Sequence, residues 1–164
     1  MQKYGLDGLD IDWEYPVTGG KPTDHKRESD KGNFVLLLKQ MRGDMDAFSH
    51  GRRLLLTIAS TCYRNHLNDL SVKEMSDVLD WFNLMCYDLD DMEPRLTSHG
   101  SALFSWATQR TNADAAKYAN CGAAVRWYLA QGVPTEKIVL GVPFYGQIWA
   151  GVTDANNGLY EPYS

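Results

Sequence analysis

The sequence predicts an α/β protein built on a parallel sheet, and three observations carry that prediction. Strand-like and helix-like segments alternate along the chain. Later strand-like segments, such as Arg53 to Ser60, are continuous apolar runs of the kind buried on both faces of a parallel sheet. The first strand-like segment instead alternates at period two, with one apolar and one acidic face.

Taken in order, Leu9, Ile11 and Trp13 alternate with Gly8, Asp10 and Asp12, which predicts a strand over Leu6 to Trp13. After Pro16 a polar stretch runs to Asn33, with Gly19, Gly20, Pro22 and a charge run from Asp24 to Lys31, and it reads as a long solvated loop. Phe34, Leu37, Leu38, Met41, Met45 and Phe48 recur at the spacing of one helical face, with Gly43 weakening the middle. RLLLTIAS, Arg53 to Ser60, is the next strand. Ser71-Val-Lys-Glu74 fits a capping box and predicts a short helix beginning near Ser71. Trp81 to Asp88 reads as a strand, and Glu93 to Asn112 as turn-rich and irregular. Asn120 to Gln131 has helical spacing, with Gly132 and Pro134 just past its end as stop signals. Lys137 to Phe144 is the last apolar strand. No repeat, low-complexity tract or interdomain linker interrupts residues 1–164, which read as a single unit.

Composition narrows the function. The chain has 164 residues, 44% hydrophobic and 23% charged, a globular balance with a core of ordinary size. Its formal net charge of −5, with no basic run interleaved with aromatics, argues against nucleic acid and anionic membrane surfaces as partners. Cys62, Cys86 and Cys121 cannot all pair within one chain and show no C-x-x-C spacing, so neither a disulfide framework nor a thiolate metal site is expected. His25, His50, His66 and His99 form no i,i+4 pair, so a histidine-based zinc site has little support; no metal or other cofactor is expected. No apolar run reaches the ~18 residues of a membrane span, and the first residues lack the apolar core of a signal peptide. An export signal, if there is one, lies outside this chain.

The chemistry concentrates in Asp7-Gly8-Leu9-Asp10-Ile11-Asp12-Trp13-Glu14. On a strand, Asp10, Asp12 and Glu14 share one face, with neighbours about 6.6 Å apart. If that face is enclosed, like charge and desolvation raise the carboxyl pKa values, and at least one proton stays bound. Glu14, the outermost, is placed to offer it to a ligand at the strand's carboxyl end. A carboxylic acid that is protonated at neutral pH is what cleavage of a glycosidic bond requires. Two plainer readings compete with this one. The face could simply be solvated at a sheet edge, or Asp10-x-Asp12-x-Glu14 could open a calcium loop. The calcium loop needs glycine at its sixth position, where this chain has Tyr15.

DGLDIDWEYP, Asp7 to Pro16, resembles the signature D-G-x-D-x-D-x-E of the family-18 glycoside hydrolases, the chitinases and their relatives, in every specified position. Met85-Cys86-Tyr87-Asp88 is similar to that family's M-x-Y-D on its sixth strand. Lys137 to Gly146, with Gly132 to Pro134 before it, is similar to its seventh strand and approach, and Phe34 to Arg42 to the helix after the signature. The resemblance implies a partial (β/α)8 barrel, roughly strands four to seven with their helices, since a complete barrel needs about 250 residues. It also implies hydrolysis of β-1,4-linked N-acetylglucosamine polymers with retention, by the substrate-assisted route for which this family is an exception to the two-carboxylate scheme.

The roles below are what the resemblance implies. Glu14 is the acid that protonates the glycosidic oxygen and later activates water, and the nucleophile is the substrate's own acetamido carbonyl, closing to an oxazolinium intermediate. Asp12 orients the acetamido N–H, Asp10 is its buried partner sharing a proton, and Asp7 and Gly8 serve the strand's local structure. Tyr87 hydrogen-bonds the acetamido group, Asp88 and Tyr15 contact the sugars, Met85 lines the pocket floor, and Tyr145 stands at the rim. The partner is chitin or a chitooligosaccharide, met outside the cell. Ordinary aromatic packing is the plainer reading of Tyr87 and Tyr145, as packing is of Met85. Asp91 and Glu93 stand where many members carry glycine and a sugar-stacking tryptophan, and Gln147 stands where an arginine is common. Strands one to three and eight are not in this chain. A chitin-binding lectin on the same scaffold and an endoglycosidase acting on N-glycan cores are the alternatives. The intact Glu14 speaks against the lectin.

Overall fold

Leu9, Ile11 and Trp13 turn to one side of the first strand and pack against the core, and that side decides how the sheet is covered. A computed structural model describes residues 2–49, 51–92, 95–105 and 113–164, so His50, Glu93 and two parts of the turn-rich stretch, 93–94 and 106–112, lie outside the described residues. Strands β1 (Gly8–Ile11), β2 (Leu55–Thr61), β3 (Trp81–Met85) and β4 (Ile138–Leu140) form a parallel sheet in the order β1-β2-β3-β4. Helices α1 (Asp30–Phe48), α2 (Arg64–Leu67), α3 (Val72–Ser76), α4 (Ala113–Tyr118) and α5 (Cys121–Ala130) lie in the connections. A parallel sheet in sequential order, with helices in its crossovers, is a run of successive βα units of a barrel, as expected.

Alternation sorts each strand between helix layer and barrel interior. Leu56, Ile58, Ser60 and Cys62 of β2 and its end are buried with Phe82, Leu84 and Cys86 of β3 and its end, beneath α1 and α5. Asp10, Thr57, Asn83, Met85 and Tyr87 therefore belong to the opposite, interior face. Gly8 lets β1 approach β2, since a Cβ there would stand 2.0 Å from the Leu55 carbonyl oxygen. Trp13 meets Phe34 of α1 edge to face at 5.1 Å. Phe82 packs on the fully buried Tyr128 of α5, whose hydroxyl donates to the Thr61 carbonyl at 2.9 Å and lies 2.7 Å from Ser60 Oγ.

Several expectations change in detail. Helix α1 begins at Asp30 rather than Phe34, because Asp30 accepts from the Arg27 backbone N–H and the Arg27 side chain and closes the turn. Its buried face is Phe34, Val35, Leu38, Arg42 and Met45, while Leu37 and Phe48 are exposed. The face is rotated because Arg42 turns inward, donating to the Val78 and Leu54 carbonyls and to Asp80. Ser71 is the N-cap residue of α3 but makes no side-chain capping bond, so the expected capping box does not form. Asn120 does cap α5, accepting from the Ala123 N–H at 2.8 Å.

The cysteine expectation is corrected as well. Cys62 and Cys86 form a disulfide, and Cys121 stays a buried free thiol. Pairing of Thr61 with Met85 sets the next residue of each strand side by side, with Cα atoms 5.3 Å apart. An odd count did not forbid one bridge; only the register reveals it.

Candidate active site

Glu14, Tyr15, Tyr63, His66, Met85, Tyr87, Asp88 and Asp91 line one cavity of about 350 Å³ at the carboxyl ends of β1, β2 and β3. Five of these eight were expected site residues: Glu14, Tyr15, Met85, Tyr87 and Asp88. Tyr145 lines a neighbouring cavity of about 310 Å³ that shares Asp88, and its ring meets Tyr87 edge to face at 6.2 Å. Its hydroxyl is bonded to Asp88, whose Oδ1 also accepts from Gln147 Nε2 at 3.3 Å. Gln147 thus reaches Asp88 without the charge an arginine would bring.

The three carboxylates on β1 and just past its end, Asp10, Asp12 and Glu14, do not behave alike. Asp12 is held above the ordinary carboxylate range by partial burial first, then by the negative charges of Glu14 and Asp10, and its side chain is hydrogen-bonded to Glu14. Asp10 is exposed rather than buried, and its bonds run sideways, accepting from Thr57 Oγ1 on β2 and from Asn83 Nδ2 on β3. Asp10 is exposed in this sheet because its four strands leave the interior face uncovered. Asp7 pairs with Arg52, and its carbonyl accepts the Leu55 N–H at 2.9 Å, so it fixes the entry to β1.

Tyr87 is raised by burial and then by Asp12, Glu14 and Asp88, which places its phenol among the carboxylates. Gly141 makes room for it, since a Cβ there would lie 2.5 Å from the Leu84 carbonyl oxygen and 3.3 Å from the Tyr87 ring. Tyr15 is raised by burial and by its bond to Glu14, and its hydroxyl also meets the Thr61 side chain. Among the described residues, no group of three His, Cys, Asp or Glu side chains is placed to hold a metal ion. No helix among them is long and apolar enough to cross a membrane.

Tyr63 and His66 were not singled out from sequence. Tyr63 Oη donates to the Asp88 carbonyl and lies 3.4 Å from Asp91 Oδ2, tying the end of β2 to the end of β3. Their signal was position alone: both lie within five residues of the end of β2, in the βα connection where barrel enzymes keep their working loops.

A carboxyl pair and tyrosines gathered at the carboxyl ends of successive parallel βα units form a site where barrel enzymes carry their chemistry. The chain belongs to the glycosyl hydrolases family 18, whose model matches residues 1–163. It is 38% identical to chitinase A1 of Niallia circulans over 164 residues, covering 98% of this chain and 24% of that protein. It is 34% identical to chitinase 1 of Aphanocladium album, covering 100% of this chain and 36% of that one. The structure of chitinase ChiA74 from Bacillus thuringiensis superposes with a TM-score of 0.90 at 37% identity, covering 98% of this chain and 26% of that chain. The chain therefore spans about a quarter to a third of these relatives' length.

Proposed function

We propose that this chain carries the catalytic centre of a chitinase that hydrolyses β-1,4-linked N-acetylglucosamine polymers with retention, with Glu14 as acid and base. The observation that carries the reading is the single cavity in which Glu14, Tyr15, Tyr87 and Asp88 converge, with Asp12 bonded to Glu14 behind it. In the first step Glu14 gives its proton to the glycosidic oxygen while the acetamido carbonyl of the sugar being cleaved attacks the anomeric carbon and closes an oxazolinium ring. Asp12 stabilises the positive charge developing on the acetamido nitrogen, and the Tyr87 hydroxyl holds the acetamido group in line. In the second step Glu14, now a carboxylate, takes a proton from water as it opens the ring, and the two inversions give net retention. Asp88 and Tyr145 supply polar and aromatic contacts to neighbouring sugars. The Cys62–Cys86 bridge suits an oxidising environment outside the cell, where the polymer is met.

The test is Glu14→Gln in a polypeptide that joins this chain to the remaining strands of a family-18 barrel. Turnover of chitooligosaccharides should fall by about 10²–10⁴-fold with binding retained, because glutamine keeps the shape and loses the proton. Residual turnover above about 10% of the parent would refute Glu14 as the sole acid.

A further inference from the structure

The segment that follows Glu14 gathers around the His66 side chain. Helix α2 is a single turn anchored by the buried Leu67, and it presents the His66 ring to the cavity wall. The Tyr15 ring lies flat on that imidazole, with centroids 4.4 Å apart and planes 15° apart. Thr18 Oγ1 lies 3.0 Å from His66 Nδ1, and its hydroxyl proton is directed to Asp69 Oδ2. A hydroxyl has one proton, so the Thr18–His66 bond must be donated by Nδ1–H, and Nε2 is left as an acceptor. Gly19 closes against the ring's far edge with φ +80, where a Cβ would stand 2.6 Å from Cε1. Three residues of the 15–19 segment, the Tyr15 ring, the Thr18 hydroxyl and Gly19, thus converge on one imidazole. Burial also lowers the His66 pKa more than Asp69 raises it, which keeps the ring neutral at neutral pH and suited to stacking.

The far end of Tyr15 reaches the chemistry, with its hydroxyl between Glu14 and Thr61. We propose that His66 is a positioning residue for the acid, stacking on Tyr15 so that the tyrosine hydroxyl stays against Glu14. This rests on Glu14 being the acid. His66 forms no bond with Glu14, so its influence passes through the Tyr15 ring.

Three variants separate the stack from the hydrogen bond. His66→Phe keeps a flat ring and loses Nδ1–H, His66→Asn keeps a donor near the Nδ1 position and loses the ring, and His66→Ala loses both. In the completed barrel, the Ala and Asn variants should lose about tenfold or more in kcat, while KM stays within about twofold. The Phe variant should stay within about threefold of the parent. A second readout needs no turnover: the Tyr15 phenol, followed by 13Cζ NMR, should titrate at lower pH in the Ala variant as water reaches the ring, and not in the Phe variant. Unchanged kcat in His66→Ala, or equal losses in the Phe and Ala variants, would overturn the proposal, as would a fully active Asn variant. A parent barrel with no chitinolytic turnover would refute the functional reading instead, and the Tyr15 titration would still decide whether His66 holds the ring.

Discussion

Asp80 at the amino-terminal end of the sheet and Asp12 at the carboxyl-terminal end are aspartates pushed in opposite directions. Burial alone would raise Asp80, but the Leu56 N–H, Arg53 and Arg42 outweigh it and hold the carboxyl below its usual range. Its oxygens accept from Leu56 N at 2.7 Å, Arg42 Nη2 at 2.7 Å and Arg53 Nε at 2.9 Å, and Arg42 also donates to two carbonyls. Around Asp12 every influence raises the pKa: burial, Glu14, Asp10 and the bond to Glu14. Among the described residues, ion pairs with Asp80 are formed by Arg42 and Arg53, and none is formed with Asp10, Asp12 or Glu14. One end therefore neutralises its carboxylate and binds three elements together. The other leaves charge uncompensated, which suits proton transfer and adds little to stability.

The comparison can be broken most forcefully through Arg42. Arg42→Met keeps the stem and removes the charge from a side chain only 9% exposed, leaving two carbonyls without donors. Urea denaturation should show a loss of about 3–5 kcal/mol. Asp12→Asn should move stability by less than about 0.5 kcal/mol in the same assay. Similar losses for the two would mean that the ends do not divide their labour. At the site, Asp12→Asn and Tyr87→Phe should each lower kcat by about 10–100-fold in the completed barrel with a smaller change in KM, because both act on charge that develops in the transition state. Equal effects on kcat and KM would make them ordinary binding groups.

The smallest effect is in the pH dependence, and its sign differs between the ends. Asp80 titrates lower in the folded chain than unfolded, so its contribution is present above the unfolded value near 3.9 and is lost as pH falls through the folded value. Asp12 titrates higher when folded, so it favours folding while protonated, and that advantage is lost as pH rises from the unfolded value through the folded one. Denaturation at pH 3 and pH 7 should find Asp80→Asn more damaging at pH 7. Asp12→Asn should be slightly stabilising at pH 7 and neutral at pH 3. Matching pH profiles for the two variants would remove the distinction.

The sequence made the fold legible wherever a pattern was local. Period-two alternation from Leu9 to Trp13 predicted both the strand and its acidic face, and the apolar runs located β2, β3 and β4. Asp12, Glu14, Tyr87 and Asp88 were readable because two short signatures name them. Features that depend on which strands become neighbours were not readable. The Cys62–Cys86 bridge follows from the pairing of Thr61 with Met85, and the inward Arg42 from the placing of α1 beside Asp80. Helix α2 is one turn long and has no periodicity to read, so His66 stayed one unassigned histidine among four. For Asp10, alternation told which way the side chain points and not what stands opposite it.

Each strand of this sheet pairs with the strand that precedes it in sequence, and that simple order gives the chain a history as it is made. Synthesis from the amino end delivers β1 before β2, β3 and β4, so the strand leading to Glu14 precedes the other three strands of this sheet. β2 then docks on β1 and brings Tyr63 and His66 to the flank of the segment carrying the acid. β3 docks on β2 and carries Tyr87 and Asp88 into place. No strand has to thread between two already formed, and each new pairing closes only the connection just synthesised. This wall of the cavity is therefore assembled by accretion, with Glu14 delivered before Tyr63 and His66, and these before Tyr87 and Asp88.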